Sequence, residues 1–111
     1  MLKVVLHVSE TEKWPVAIAN VSNLIKDVGE DQVRAALLAN GAAVEVFRPG
    51  HELAAPLGRL TGQGVELLAC RNSLRSLGMG EGELPGFVKV VPAGITELVR
   101  RQQEGWAYVR P

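Results

Sequence analysis

Cys70 is the only cysteine of the chain, and it stands between an apolar run and a helix-like segment in Val65-Glu66-Leu67-Leu68-Ala69-Cys70-Arg71-Asn72-Ser73-Leu74-Arg75. A thiol at the end of a strand, with a helix start and two arginines after it, meets backbone N–H groups and cations, and both favour the thiolate. The backbone amides of Asn72 and Ser73 are candidates for holding negative charge on sulfur, and Arg71 and Arg75 are candidates for stabilising it from their side chains. A free cysteine also packs as a small core hydrophobe, so position alone leaves a reactive thiol and a core filler both open.

Other chemistries lack their residues. One cysteine makes no internal disulfide, and the two histidines, His7 and His51, are far apart and each alone, so no metal site is expected. A phosphate-binding loop needs clustered glycines between a strand and a helix, and neither nucleotide fingerprint occurs there. A cysteine phosphatase loop would carry an arginine six residues after the cysteine, where Ser76 stands. A hydrolytic cysteine needs a histidine as base. His7 qualifies only if strands one and three are neighbours, and a strand histidine also packs and hydrogen-bonds without catalytic duty.

The elements that must position Cys70 follow from the apolar periodicity. Leu2-Lys3-Val4-Val5-Leu6-His7-Val8 is a β-branched run of the kind covered on both faces of a sheet. Trp14, Ile18, Val21, Ile25 and Val28 recur at helical steps, with Pro15 suited to the first turn and Gly29 to the end. Val33 to Ala39 and Ala42 to Phe47 flank Asn40-Gly41, which reads either as a hairpin turn or as the carboxyl end of a parallel strand followed by an irregular segment. Leu53, Leu57 and Leu60 have helical spacing, and Val65 to Ala69 is a third strand. Asn72 is a candidate cap for a short helix ended by Gly78. A glycine-rich loop from Gly78 to Gly86, positioned to cover the cysteine, precedes a strand at Val88 to Val91. A helix carrying Ile95, Leu98 and Val99 follows, then a closing strand at Trp106 to Val109.

Alternating strands and helices predict a single α/β domain over residues 1–111, with a mainly parallel central sheet and helices on both faces. Ligands of such sheets bind outside the carboxyl ends of the strands, where Cys70, Ser9 to Lys13 and the Asn40-Gly41 pair all fall. His7, Asn40 and Gly41 are therefore candidates for a pocket around the cysteine. Twelve basic and twelve acidic residues give zero formal net charge, so nothing global attracts nucleic acid or anionic lipid. No apolar run approaches the length of a membrane span, and a cytoplasmic location is expected. Near-zero charge also removes one barrier to self-association.

The chain resembles the DsrE/DsrF-like (YchN-like) family of small proteins associated with sulfur metabolism. The resemblance is carried by Val4 to Val8, Ile18 to Leu24 and Leu60 to Val65, most densely by Ala69-Cys70-Arg71-Asn72-Ser73-Leu74-Arg75 with Gly78-Met79, and by Val99 to Pro111. It implies a layered fold with a parallel sheet, assembly into homotrimers or homohexamers, and a cysteine that in some members carries sulfur as a persulfide, matched here by Cys70. It also implies that a parallel strand ends at Asn40-Gly41. On this basis Cys70 is expected to accept sulfane sulfur from a donor protein and pass it to an acceptor thiol, with no cofactor. Arg71, Asn72, Ser73 and Arg75 are then the stabilisers of the thiolate or persulfide. The rival expectation is a non-catalytic oligomeric scaffold in which Cys70 lines an intersubunit pocket and Trp14, Trp106 and Tyr108 are contact residues.

Overall fold

The apolar runs fold as strands because both faces of each are covered, and the amphipathic stripes fold as the helices that cover them. The computed structural model describes residues 1–111. Its strands are β1 (Leu2–Val8), β2 (Val33–Ala39), β3 (Glu66–Cys70), β4 (Val88–Val91) and β5 (Ala107–Val109). The helices between them are α1 (Trp14–Val28), α2 (Ala54–Gly62), α3 (Arg71–Ser76) and α4 (Gly94–Gln103). All strand pairs are parallel and the order across the sheet is β4-β3-β2-β1-β5, which confirms the α/β class.

The two faces are unequal. Trp14, Ala17, Val21 and Ile25 of α1, Leu57 and Leu60 of α2 and Leu74 of α3 pack with Val4, Leu6, Leu37 and Leu67 in the larger core. On the other face the core is smaller, made by Val5, Ala36, Leu38, Leu68, Val91, Leu98 and Trp106. The connection through α4 explains the difference, because it leads from the β4 edge to β5 at the opposite edge and so crosses this face alone. Leu98 is buried while Ile95 and Val99, from the same helix, are 69% and 47% exposed.

At the carboxyl end of β2, Asn40-Gly41 opens a 3-10 segment over Gly41–Phe47. No hairpin forms there. The second apolar run buries Ala43, Val44, Val46 and Phe47 against the larger core by helical turns, instead of alternating across a sheet. Gly41 takes φ +55, a left-handed conformation that side chains other than glycine, asparagine and aspartate rarely adopt. The helix after β3 starts two residues earlier than the sequence suggests. Cys70 itself occupies the N-cap position with φ −71 and ψ 118, and Asn72 lies inside the first turn. The two tryptophans belong to the core and are not surface contacts: Trp14 is fully buried, with its indole N–H donating to the Ala43 carbonyl at 2.9 Å, and Trp106 is 6% exposed.

Candidate functional site

Two helices begin at the sulfur of Cys70. Cys70 is the N-cap residue of α3, and the first residue of α4, Gly94, donates its N–H to Sγ at 3.3 Å. The approach of α4 is tight: a Cβ on Gly94 would lie 3.1 Å from Leu38 Cδ2 and 3.4 Å from Cys70 Cβ, so a side chain there would have to push its neighbours aside. Glycine at the start of α4 thus lets a helix N-terminus reach the thiol.

Burial, at 6% exposure, pushes the Cys70 thiol up, since an apolar environment disfavours the anion. The hydroxyl of Ser73 and the N–H groups of Ser73, Gly94 and Asn72 oppose that push, and the balance lies below the ordinary thiol value. Ser73 is itself oriented. Gly41 N–H donates to Ser73 Oγ at 2.7 Å, which occupies a lone pair and leaves the hydroxyl proton for the sulfur. The Asn40-Gly41 turn therefore acts on Cys70 through Ser73, and the left-handed Gly41 backbone is what aims that N–H.

The arginines expected to stabilise the thiolate are engaged elsewhere or take no part. Arg71 donates from Nε to Glu81 at 2.7 Å, tying α3 to the glycine-rich loop. Neither Arg71 nor Arg75 is among the groups that lower the Cys70 thiol. The hydrogen-bonding groups at the sulfur come from α3 and α4, while the loop reaches the site only through the Arg71 to Glu81 pair. Sequence reading missed Gly94, which lies 24 residues from Cys70 and whose only local signal was a glycine opening an amphipathic helix.

His7 does not neighbour β3, because β2 intervenes. It binds instead to the residues beside it: its Nε2 lies 2.9 Å from Asn40 Oδ1 and its Nδ1 lies 2.7 Å from the Tyr108 hydroxyl. With the carboxamide oxygen at Nε2, that nitrogen donates, and Nδ1 pairs with the Tyr108 hydroxyl, so both nitrogens are used. That arrangement leaves no free nitrogen for taking a proton from Cys70. A cleft of about 270 Å³ lined by Gly41, Ala42, Asn72, Ser73, Ser76 and Leu77 adjoins the site. No group of three or more His, Cys, Asp or Glu side chains is gathered to hold a metal, and no helix is long and apolar enough to cross a membrane.

Comparison with known proteins places this geometry among relatives. The model of the DsrE/DsrF-like family matches residues 17–111. A protein of unknown function from Methanobacterium thermoautotrophicum is 40% identical, with a TM-score of 0.93 over 100% of both chains. The ychN protein from E. coli shares 16% identity and a TM-score of 0.86 over 100% of both chains. A conserved protein of unknown function from Bacteroides thetaiotaomicron shares 14% identity and a TM-score of 0.77, covering 98% of this chain and 94% of its own. The last two are likenesses of fold alone. A comparison with curated proteins finds no significant match.

Proposed function

The chain belongs to the DsrE/DsrF-like family, which is associated with sulfur metabolism, and from that premise we propose that it is a sulfur carrier whose Cys70 holds sulfane sulfur as a persulfide. The observation that carries the reading is the cradle of donors at Cys70 Sγ: the Gly94 N–H at 3.3 Å, with the Asn72 and Ser73 amides and the Ser73 hydroxyl, all favouring the anion. The thiolate attacks the outer sulfur of a donor persulfide, R–S–SH. A new bond forms between Cys70 Sγ and that sulfur, the donor's S–S bond breaks, and its pair of electrons leaves on R–S⁻. Delivery to an acceptor thiolate repeats the exchange in reverse, so no cofactor is consumed. Sulfur-donor and sulfur-acceptor proteins are the partners this reading requires.

The test is intact-protein mass spectrometry after treatment with polysulfide. The expected result is one added sulfur on the wild-type chain and none on Cys70→Ser. A wild-type chain whose mass is unchanged, with Cys70 shown to be reduced beforehand, refutes the carrier reading.

One observation favours the scaffold reading as a companion to it. Ile95 and Val99 stand on the outer face of α4 and border a depression of about 380 Å³ with Thr96, Arg100 and Gln103, and exposed apolar patches mark interaction surfaces. Assembly into homotrimers or homohexamers through this face would bring a second chain to the helix whose first residue, Gly94, contacts Cys70. Light scattering on wild type and Ile95→Asp decides it, since a monomer in both refutes self-association.

A further inference from the structure

Asn40 is the polar side chain that borders Cys70 without yet having a task. Its Cβ and that of Cys70 lie 3.6 and 3.4 Å from the point a Cβ of Gly94 would occupy, so the two flank the same glycine at the carboxyl ends of β2 and β3. Its carboxamide oxygen is fixed by His7 Nε2–H at 2.9 Å, and His7 is fixed in turn by the Tyr108 hydroxyl at 2.7 Å. The amide NH2 group donates to no protein acceptor, and no buried side-chain nitrogen or oxygen lacks a partner, so the NH2 is open to solvent or to a ligand. His7 and Tyr108 also straddle the junction of β1 and β5, where the strand order reverses, and ligands of such sheets enter at that point.

We infer that the Asn40 carboxamide donates to the outer sulfur of the Cys70 persulfide, and that His7 and Tyr108 are positioning residues that set the amide in place. The inference rests on the carrier reading and adds the group that recognises the cargo. After Cys70 Sγ has bonded to the outer sulfur and R–S⁻ has left, that sulfur gives its proton to water. The product is Cys70–S–S⁻ with its charge on the terminal atom. The backbone and hydroxyl donors of α3 and α4 are gathered around Sγ, whereas the terminal sulfur stands one bond further out and needs a donor of its own. Asn40 flanks the same glycine as Cys70 and is held by its oxygen, so that its nitrogen is the free end. Hydrogen bonds to ionised groups are the stronger kind, so the contact discriminates a persulfide from a carbon adduct.

The test compares two reagents on one cysteine. Glutathione persulfide delivers an outer sulfur, whereas iodoacetamide delivers a carbon and none. Asn40→Ala is expected to slow persulfide formation about tenfold, the loss of one hydrogen bond to a charged group, with alkylation within about twofold of wild type. His7→Leu is expected to follow Asn40→Ala. His7→Gln, which returns an amide N–H near the position of Nε2, is expected to restore much of the rate, and a purely packing role would show no such rescue. Equal rates for Asn40→Ala and wild type with glutathione persulfide overturn the inference and leave the carrier reading intact. So does an equal loss with both reagents, which marks a general disturbance. A failure of His7→Gln to recover beyond His7→Leu overturns the positioning role. A wild-type chain that gains no sulfur overturns the carrier reading and this inference with it.

Discussion

Removing the Ser73 hydroxyl isolates one donor of the thiolate cradle while leaving the backbone of α3 in place. Ser73→Ala deletes one hydrogen bond to an ionised sulfur, worth about 1.5 to 3 kcal/mol. The lower figure applies, because water enters beside a residue of intermediate exposure. At roughly 1.4 kcal/mol per factor of ten, the thiolate fraction at neutral pH falls about tenfold. Reactivity falls less. Thiolate nucleophilicity rises with basicity at a Brønsted coefficient of about 0.4 to 0.5, which returns about a factor of three. Ser73→Ala is therefore expected to react with dithiodipyridine about threefold more slowly than wild type at pH below both thiol values. Above both, where each thiol is fully ionised, it is expected to react about threefold faster. The rate profiles must cross, and the 6% exposure of Cys70, common to both proteins, cancels from the ratio. Linkage gives a second reading of the same contact. A thiol lowered on folding contributes stability that is fully present above the unfolded value of about 8.5, and that is lost as pH falls through the folded value. Chemical denaturation should show stability rising with pH through this window in wild type, less steeply in Ser73→Ala, and without that component in Cys70→Ala. Rate profiles that run parallel at every pH, or a wild-type thiol titrating at or above the ordinary value, would refute the reasoning.

Three further outcomes are expected. Gly94→Ala puts a methyl group 3.1 Å from Leu38 Cδ2, which costs about 1 to 3 kcal/mol by overpacking and moves the Gly94 N–H away from Sγ. Thermal unfolding and thiol titration should both change, and a variant matching wild type in both would show that the close approach is unimportant. Arg71→Ala breaks an exposed pair with Glu81 that takes no part in lowering the thiol, so the Cys70 titration should be unmoved, and a clear rise would restore the arginine to the site. Arg101 is 7% exposed, bonded to Glu66 and Glu97, and stacked 4.4 Å over Trp106. Arg101→Leu leaves Glu66 unpaired and Glu97 with only the exposed Arg100 at 3.5 Å, at a cost of about 3 kcal/mol, or about 12 °C in Tm at roughly 4 °C per kcal/mol. Arg101 also holds Glu66 below the usual carboxylate range, a stabilisation present above about pH 4.3 and lost as pH falls through the folded value. Acid-induced unfolding of the variant should lack that component.

The apolar periodicities of α1 and of the first three strands were legible because each reports a burial pattern that only one kind of element satisfies. The stretch 40–47 was not, since Asn40-Gly41 suits a hairpin turn locally and the parallel alternative depends on where β1 lies. Sequence placed Cys70 at a strand's end before a helix, and it pointed to Asn72 and Ser73 as neighbours in the same turn. Gly94 and the role of Gly41 were beyond it, because both act across the sheet, through α4 folding back over β3 and through β2 lying beside β3. The arginines misled for the opposite reason. Their closeness in sequence to Cys70 says nothing of direction, and Arg71 turns outward to Glu81.

That the thiolate is held by dipoles and not by cations bears on what the cysteine is suited to do. A guanidinium or imidazolium beside the sulfur would lower its basicity further, and with it its power to attack, since nucleophilicity falls as thiol pKa falls. A carrier must attack a donor persulfide and later release sulfur to another thiol, so a deeply stabilised thiolate serves one half of the cycle at the expense of the other. Here burial pushes the thiol up while Ser73, Asn72 and Gly94 draw it down, and the two effects oppose each other within one site. Neutral donors fixed by the backbone also adapt to a sulfur that gains and loses a second atom, because no side-chain ion pair has to be remade at either step. The same logic assigns the outer sulfur to a neutral carboxamide, Asn40, rather than to Arg71 or Arg75.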